Sequence, residues 1–138
     1  MIVLDASVIV AALVDSGHDG QWAESIVEEG SLAAPELALV EATNILRRLE
    51  RSDQVSQLEA NIAHRDLSRL DLDLFPFAPF ADRVWALRSN LTAYDAWYVA
   101  VAEALACPLA TLDRKLGRAT GPVCEIVTPP RSRITADT

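Results

Sequence analysis

Apolar positions along the chain fall into two kinds of run. Short, largely apolar runs without alternation are Ile2–Leu4 and Leu109–Leu112, which read as buried strands, with Ser31–Ala34 a strand candidate and Cys124–Val127 a last strand. Asp71–Phe75 instead alternates acid and apolar side chains, as a half-exposed strand does. Between them lie longer segments of helical character. Ser7 is placed to cap a wholly apolar helix running through Val14, and Ser16-Gly17 with Asp19-Gly20 marks the following loop. Trp22–Glu29 reads as an amphipathic helix. Pro35 suits a first helical position, with Glu36 in the favourable first turn, and this helix extends to about Arg51. Ser52 and Asp53 break it before a helix over Gln54–Leu70. Phe80–Arg88 follows the punctuation of Pro76 and Pro79. Thr92–Ala106 is apolar nearly all round, which marks a central helix, and Pro108 stops it. Asp113–Gly117 is a helical turn.

Strands alternating with helices, most of the strands apolar without alternation, predict an α/β domain with a parallel sheet covered on both faces. One domain over residues 1–138 is the expectation for a chain of 138 residues. In such sheets ligands bind beyond the carboxyl ends of the strands. Asp5 and Asp113 follow two of the buried strands directly, so both fall at that rim.

Two more acids stand in apolar surroundings, Glu41 in Leu-Val-Glu-Ala-Thr-Asn and Asp95 in Thr-Ala-Tyr-Asp-Ala-Trp. Each acid has an ordinary capping explanation to weigh. Thr92 and Asp95 have capping-box spacing, and Asp113 precedes a short helix it can cap. Glu41 is harder to explain so, because its neighbours at helical spacing are Leu37, Ala38, Asn44 and Ile45. Should the four converge, two carboxylates about 5 Å apart repel by roughly 3 kcal/mol at an effective dielectric near 20. A cation or a proton must then offset the repulsion. Oxygen ligands without histidine or thiolate select Mg²⁺ or Mn²⁺, ions suited to phosphodiester hydrolysis.

Composition adjusts this picture only in places. The chain is 51% hydrophobic and 23% charged, as folded domains are. A formal net charge of −8 disfavours a polyanionic partner, but Arg114, Lys115, Arg118, Arg131 and Arg133 cluster near one end. Arg47, Arg48, Arg51, Arg65 and Arg69 lie on two middle helices, where ordinary solvated faces explain them equally well. Cys107 and Cys124 stand far apart with no Cys-x-x-Cys grouping, which favours reduced structural thiols over zinc ligands or a disulfide. His18 and His64 sit in polar stretches and read as surface residues. The longest apolar run, Val8–Val14, is too short for a bilayer, and no secretory leader pattern precedes Asp5, so a cytoplasmic location is expected.

Four segments together resemble the PIN-domain ribonucleases, and among them the VapC-type toxins of bacterial toxin–antitoxin pairs. They are Val-Leu-Asp-Ala-Ser at the start, Pro-Glu-Leu-Ala-Leu-Val-Glu-Ala-Thr-Asn, Leu-Thr-Ala-Tyr-Asp-Ala-Trp-Tyr-Val-Ala, and Leu-Ala-Thr-Leu-Asp-Arg-Lys-Leu. The resemblance implies a three-layer α/β/α fold with a parallel sheet of about five strands. It also implies metal-dependent cleavage of single-stranded or loop RNA. Asp5, Glu41, Asp95 and Asp113 become the acidic quartet. Asp5, Asp95 and Asp113 would hold Mg²⁺ (or Mn²⁺), and Glu41 would assist in metal binding or water activation. Ser7 and Thr111 match the family's hydroxyl positions, and Asn44 matches a residue that orients Glu41. Arg114, Lys115 and Arg118 are candidate RNA contacts. A homodimer and a VapB-type antitoxin are implied partners, with Leu13, Val14 and Trp22 available to line an antitoxin groove. The competing readings are a catalytically silent module of the same fold and a receiver-like signalling domain. The second lacks support, because receivers carry paired acids after the first strand where this chain has Asp5-Ala6-Ser7. A haloacid-type phosphatase needs an acid at position 7, which is serine.

Overall fold

The structure, a computed structural model, describes residues 1–131; Arg133 lies outside the described residues. Five strands form one parallel sheet: β1 (Ile2–Leu4), β2 (Leu32–Pro35), β3 (Asp73–Phe75), β4 (Leu109–Ala110) and β5 (Ile126–Val127), in the order β3-β2-β1-β4-β5. β1 sits in the middle and is wholly buried, as its unbroken apolar sequence requires. β3 lies at an edge and leaves Asp73 and Leu74 exposed. That position accounts for the alternating pattern at Asp71–Phe75, and charge on a sheet edge discourages pairing with other chains.

The helices are α1 (Ala6–Val14), α2 (His18–Val27), α3 (Ala38–Arg51), α4 (Gln57–Arg69), α5 (Ala81–Ala86), α6 (Ala93–Leu105) and α7 (Arg114–Gly117). α1 packs on α2, α3 and α4, whereas α6 lies across β1, β2 and β4 with α5 beside it. The result is the three-layer α/β/α arrangement. Val3, Leu4, Val8, Ile9, Val99, Val101 and Leu109 fill the core between layers with no surface exposed. Burying each such side chain is worth about 1.5–3 kcal/mol. No helix among the described residues is long and apolar enough to cross a membrane.

Four local expectations are corrected. Ser7 does not cap α1. The helix begins one residue earlier, with Asp5 extended at the N-cap position, and the Ser7 hydroxyl is used elsewhere. Pro35 ends β2 rather than starting a helix. β1 pairs with Leu32 and Ala33 only, so no ladder donor is needed at Pro35, while the Glu36 N–H continues the pairing by donating to Phe75 O (2.9 Å). α4 starts at Gln57 rather than Gln54, because Ser56 and Glu59 form a reciprocal capping box. α2 also begins at His18 rather than Trp22, which takes Asp19-Gly20 out of the expected loop and into the helix with Asp19 in its first turn; the remaining differences are end-effects of a few residues. The break at Ser52-Asp53 holds, with Asp53 in the left-handed region at φ 60°.

Candidate active site

The strand order places a switch point between β1 and β4, since the chain leaves β1 towards β2 on one side and returns to β4 on the other. Asp5 and Thr111 are the first residues beyond the carboxyl ends of these two strands. The Asp5 N–H donates to Ala110 O (3.0 Å), which ties the two strand ends together. The Asp5 carboxylate makes no cap bond to α1, although aspartate is well suited to capping. Its Oδ2 instead accepts from Thr111 Oγ1 (2.7 Å) and Ser7 Oγ (3.1 Å). The hydroxyls are themselves fixed: Ser7 Oγ accepts from the Leu112 N–H (3.3 Å) and Thr111 Oγ1 from the Asp113 N–H (3.0 Å). Thr111 is fully buried, so its hydroxyl has little freedom to turn away. Oδ1 of Asp5 has no hydrogen bond from the described residues.

Asp113 does act as a cap. Its Oδ1 accepts the N–H groups of Lys115 (2.9 Å) and Leu116 (3.4 Å), which leaves Oδ2 without a protein partner. Asp95 belongs to only half of a capping box. Thr92 Oγ1 accepts the Asp95 N–H at 3.2 Å, but no bond returns from the Asp95 carboxylate to the cap N–H. The ordinary explanation therefore suffices for one oxygen of Asp113 and falls short for Asp5 and Asp95.

Glu41 projects from the first turn of α3 and accepts from Tyr98 Oη at 3.0 Å. Burial pushes its carboxyl above the ordinary value. The Tyr98 hydrogen bond pulls it back, and the charges of Asp5 and Asp95 add to the push. Asp95 is raised by burial first, then by Asp5 and Asp113. These mutual effects link all four acids: Glu41 feels Asp5 and Asp95, and Asp95 feels Asp5 and Asp113. Charges on four segments distant in sequence thus act on one another around the switch point. Burial and the negative charge around Tyr98 also drive its phenol upward, so it stays a hydrogen-bond donor at neutral pH.

The structure brings Asp5, Ser7, Glu41, Asp95, Thr111 and Asp113 into one neighbourhood. Asn44 is exposed on α3 and makes no hydrogen bond to Glu41; Tyr98 takes the orienting role instead. Sequence reading missed Tyr98. The available signal was a hydroxyl three residues after Asp95, on the same face of an otherwise apolar helix. Lys115 and Arg118 are exposed beside Asp113, while Arg114 donates from Nη2 to Pro129 O (2.9 Å) and is partly tied down. His18 Nε2 lies 2.6 Å from Pro130 O and His64 is exposed, as surface histidines.

An all-oxygen donor set with raised carboxyls, several oxygens free, suits a hard divalent cation. Among the described residues no three acidic, histidine or cysteine side chains stand close enough together to hold a metal ion by themselves.

Fold and site define a doubly wound α/β domain with an acidic switch-point rim. The chain belongs to the PIN domain family, matched over residues 2–122, and within it to the VapC ribonucleases. It is 40% identical over 131 residues to the VapC ribonuclease Mb0985 of Mycobacterium bovis, covering 95% of this chain and 100% of that one. Its fold is similar to the crystal structure of PAE2754 from Pyrobaculum aerophilum (TM-score 0.69, 24% identity, 91% of this chain and 81% of that chain). A toxin–antitoxin complex from Klebsiella pneumoniae has the same fold (TM-score 0.65, 19% identity, 96% and 100% covered).

Proposed function

We propose that this protein is the toxin of a VapBC-type pair, an endoribonuclease that hydrolyses RNA phosphodiester bonds with Mg²⁺ or Mn²⁺ at the four acids. The carrying observation is the Asp5 carboxylate, fixed through one oxygen by two oriented hydroxyls at the switch point and left free at the other. Asp5, Asp95 and Asp113 hold the cation, and Ser7 and Thr111 keep Asp5 from rotating. When bound, the cation supplies charge neutralisation at the phosphate and acidifies water. Glu41, with its raised affinity for protons and its Tyr98 anchor, is suited to take a proton from the attacking water. Lys115 and Arg118 offer cationic contacts to the RNA backbone, with Arg114 a weaker candidate. In-line attack by water leaves 5′-phosphate and 3′-hydroxyl ends.

The partners implied are a VapB-type antitoxin and a second copy of this chain, in a cytoplasmic setting with one PIN domain spanning the sequence. Leu13, Val14 and Trp22 are half-buried and packed against the core rather than openly exposed. Val14 still lines an open cavity of about 490 Å³ with Val10, Ile45 and Leu49, which begins at Ser7 beside the acids. An apolar antitoxin segment laid there would reach the catalytic rim.

The test is cleavage of total RNA with Mg²⁺ or Mn²⁺, mapping of fragment ends, and comparison with Asp5→Asn. Cleavage should fall at least about 100-fold in the variant, with the fold retained by circular dichroism. Full activity in Asp5→Asn or in excess chelator rules the mechanism out. A folded, metal-binding wild type that cleaves no RNA favours the silent binding module.

A further inference from the structure

At the end of the sheet opposite the acids, two cysteines stand in the connections that lead into neighbouring strands, Cys107 just after α6 and Cys124 ahead of β5. Cys107 and Cys124 each stand two residues before the pair Leu109–Ile126, which is in direct parallel register. The Leu109 N–H donates to Glu125 O at 2.9 Å, so the ladder already holds the chains together between the two cysteines and the strands. Adjacent paired strands run about 4.8 Å apart, and the two connections enter that pairing at the same register. Disulfides span Cα separations of about 4.4–6.8 Å. Both side chains line one cavity of about 370 Å³, together with Glu103, Ala106, Pro108 and Val123. Both are free thiols, Cys107 buried and Cys124 half-buried. Among the described residues no third ligand completes a metal set around them.

We propose that Cys107 and Cys124 are a disulfide site that staples β4 to β5 by exchange with a low-molecular-weight disulfide. The thiolate of Cys124, the more accessible of the two, attacks one sulfur of the oxidant RS–SR and displaces RS⁻. The thiolate of Cys107 then attacks the Cys124 sulfur of the mixed disulfide and displaces the second RS⁻. The protein loses two protons and two electrons, and two RSH form. The closed segment, residues 108–123, contains Thr111, Asp113 and α7. Oxidation therefore stiffens the piece of chain that presents one acid of the rim, without touching it. The inference rests on the fold and does not depend on the nuclease reading.

The groups facing the pair set its rate. Burial raises both thiols above their ordinary value. Glu103 on α6 pushes Cys124 further up, while Arg83 on α5 and the amino terminus near Cys107 pull the other way. Thiolate is therefore scarce at neutral pH, so the exchange is slow and accelerates as pH rises.

The full-length protein is incubated with oxidised glutathione, and thiols, mass, linked peptides and Tm are followed. The expected result is loss of both thiols, a monomer lighter by two hydrogens, and a linked peptide pair containing Cys107 and Cys124. Tm should rise on the order of 10 °C, and the reaction should quicken from neutral pH to about pH 9. Cys107→Ser should instead keep glutathione on Cys124, and neither it nor Cys124→Ser should gain the Tm rise. Persistent glutathione on Cys124 of the wild type beside a free Cys107 overturns the proposal. So do unreacted thiols or a link between two chains.

Discussion

Two partly buried glutamates on opposite sides of this molecule differ in how their charge is met by the protein. Glu103 on α6 receives Arg83 through two bonds, Nε to Oε1 (2.7 Å) and Nη2 to Oε2 (3.0 Å), and the Val123 N–H adds a third at 2.8 Å. Burial pushes its carboxyl up, but these hydrogen bonds and the arginine charge outweigh burial and hold it below the ordinary value. Arg83 also donates to Gly121 O (3.1 Å), so the pair joins α5, α6 and the segment before β5. Glu41 meets a neutral phenol and two like charges, and it shifts the opposite way. Charge compensation supplied within the protein makes a clamp. Its absence at the rim leaves a deficit that a cation and a substrate can fill.

The contrast is broken most sharply by Asp95→Asn. RNA cleavage should fall by about 100-fold or more, while the metal-free protein gains stability because one member of the repelling set is neutral. Thermal denaturation in chelator measures the second effect, and a lower Tm would count against mutual repulsion among the acids. Glu103→Gln should do the reverse. It should cost about 2 kcal/mol in urea denaturation, since charge-assisted bonds from Arg83 are weakened, and change cleavage little. The cost stays modest because solvent screens the Arg83 side chain, which is 39% exposed.

Acid titration should separate the two groups by sign. Glu103 is depressed, so its stabilising contribution is present above the ordinary glutamate value of 4.5 and is lost as pH falls through its lower folded value. Glu41 and Asp95 are raised, so their cost is present at neutral pH. It is relieved as pH falls through their folded values towards the ordinary 4.5 and 3.8. Stability of the metal-free protein should thus rise on mild acidification and drop on further acidification. Asp95→Asn should flatten the first limb, and Glu103→Gln the second. The smallest effects are expected at the orienting residues. Tyr98→Phe should reduce cleavage about tenfold and shift the acid limb of its pH profile upward, because the bond that lowers Glu41 is gone. Asn44→Ala should change activity by less than about twofold, since it leaves the Tyr98 bond in place.

The parallel sheet and the placing of Asp5 at a strand's end were legible in the chain because burial on both faces demands apolar runs without alternation, whereas the strand order came only from the structure. The same logic failed at Pro35, where the deciding fact was which neighbour still ran alongside β2. It failed again at Ser7, whose hydroxyl has two possible uses. Local chemistry favours the cap, and only the approach of β4, with the Leu112 N–H, selects the other. Tyr98 was hidden in an apolar helix because its partner lies on α3, far away in sequence.

The sequence by itself determined the layered α/β class, the four acids, and an oxygen-only donor set, because hydrophobic periodicity and side-chain chemistry are local properties. Tertiary structure alone decided which acids share one another's field, which carboxylate oxygens stay free, and which acid receives an arginine. Those outcomes depend on distances of a few ångströms between segments that the chain order keeps apart, and electrostatic energy and hydrogen bonding are set at that range.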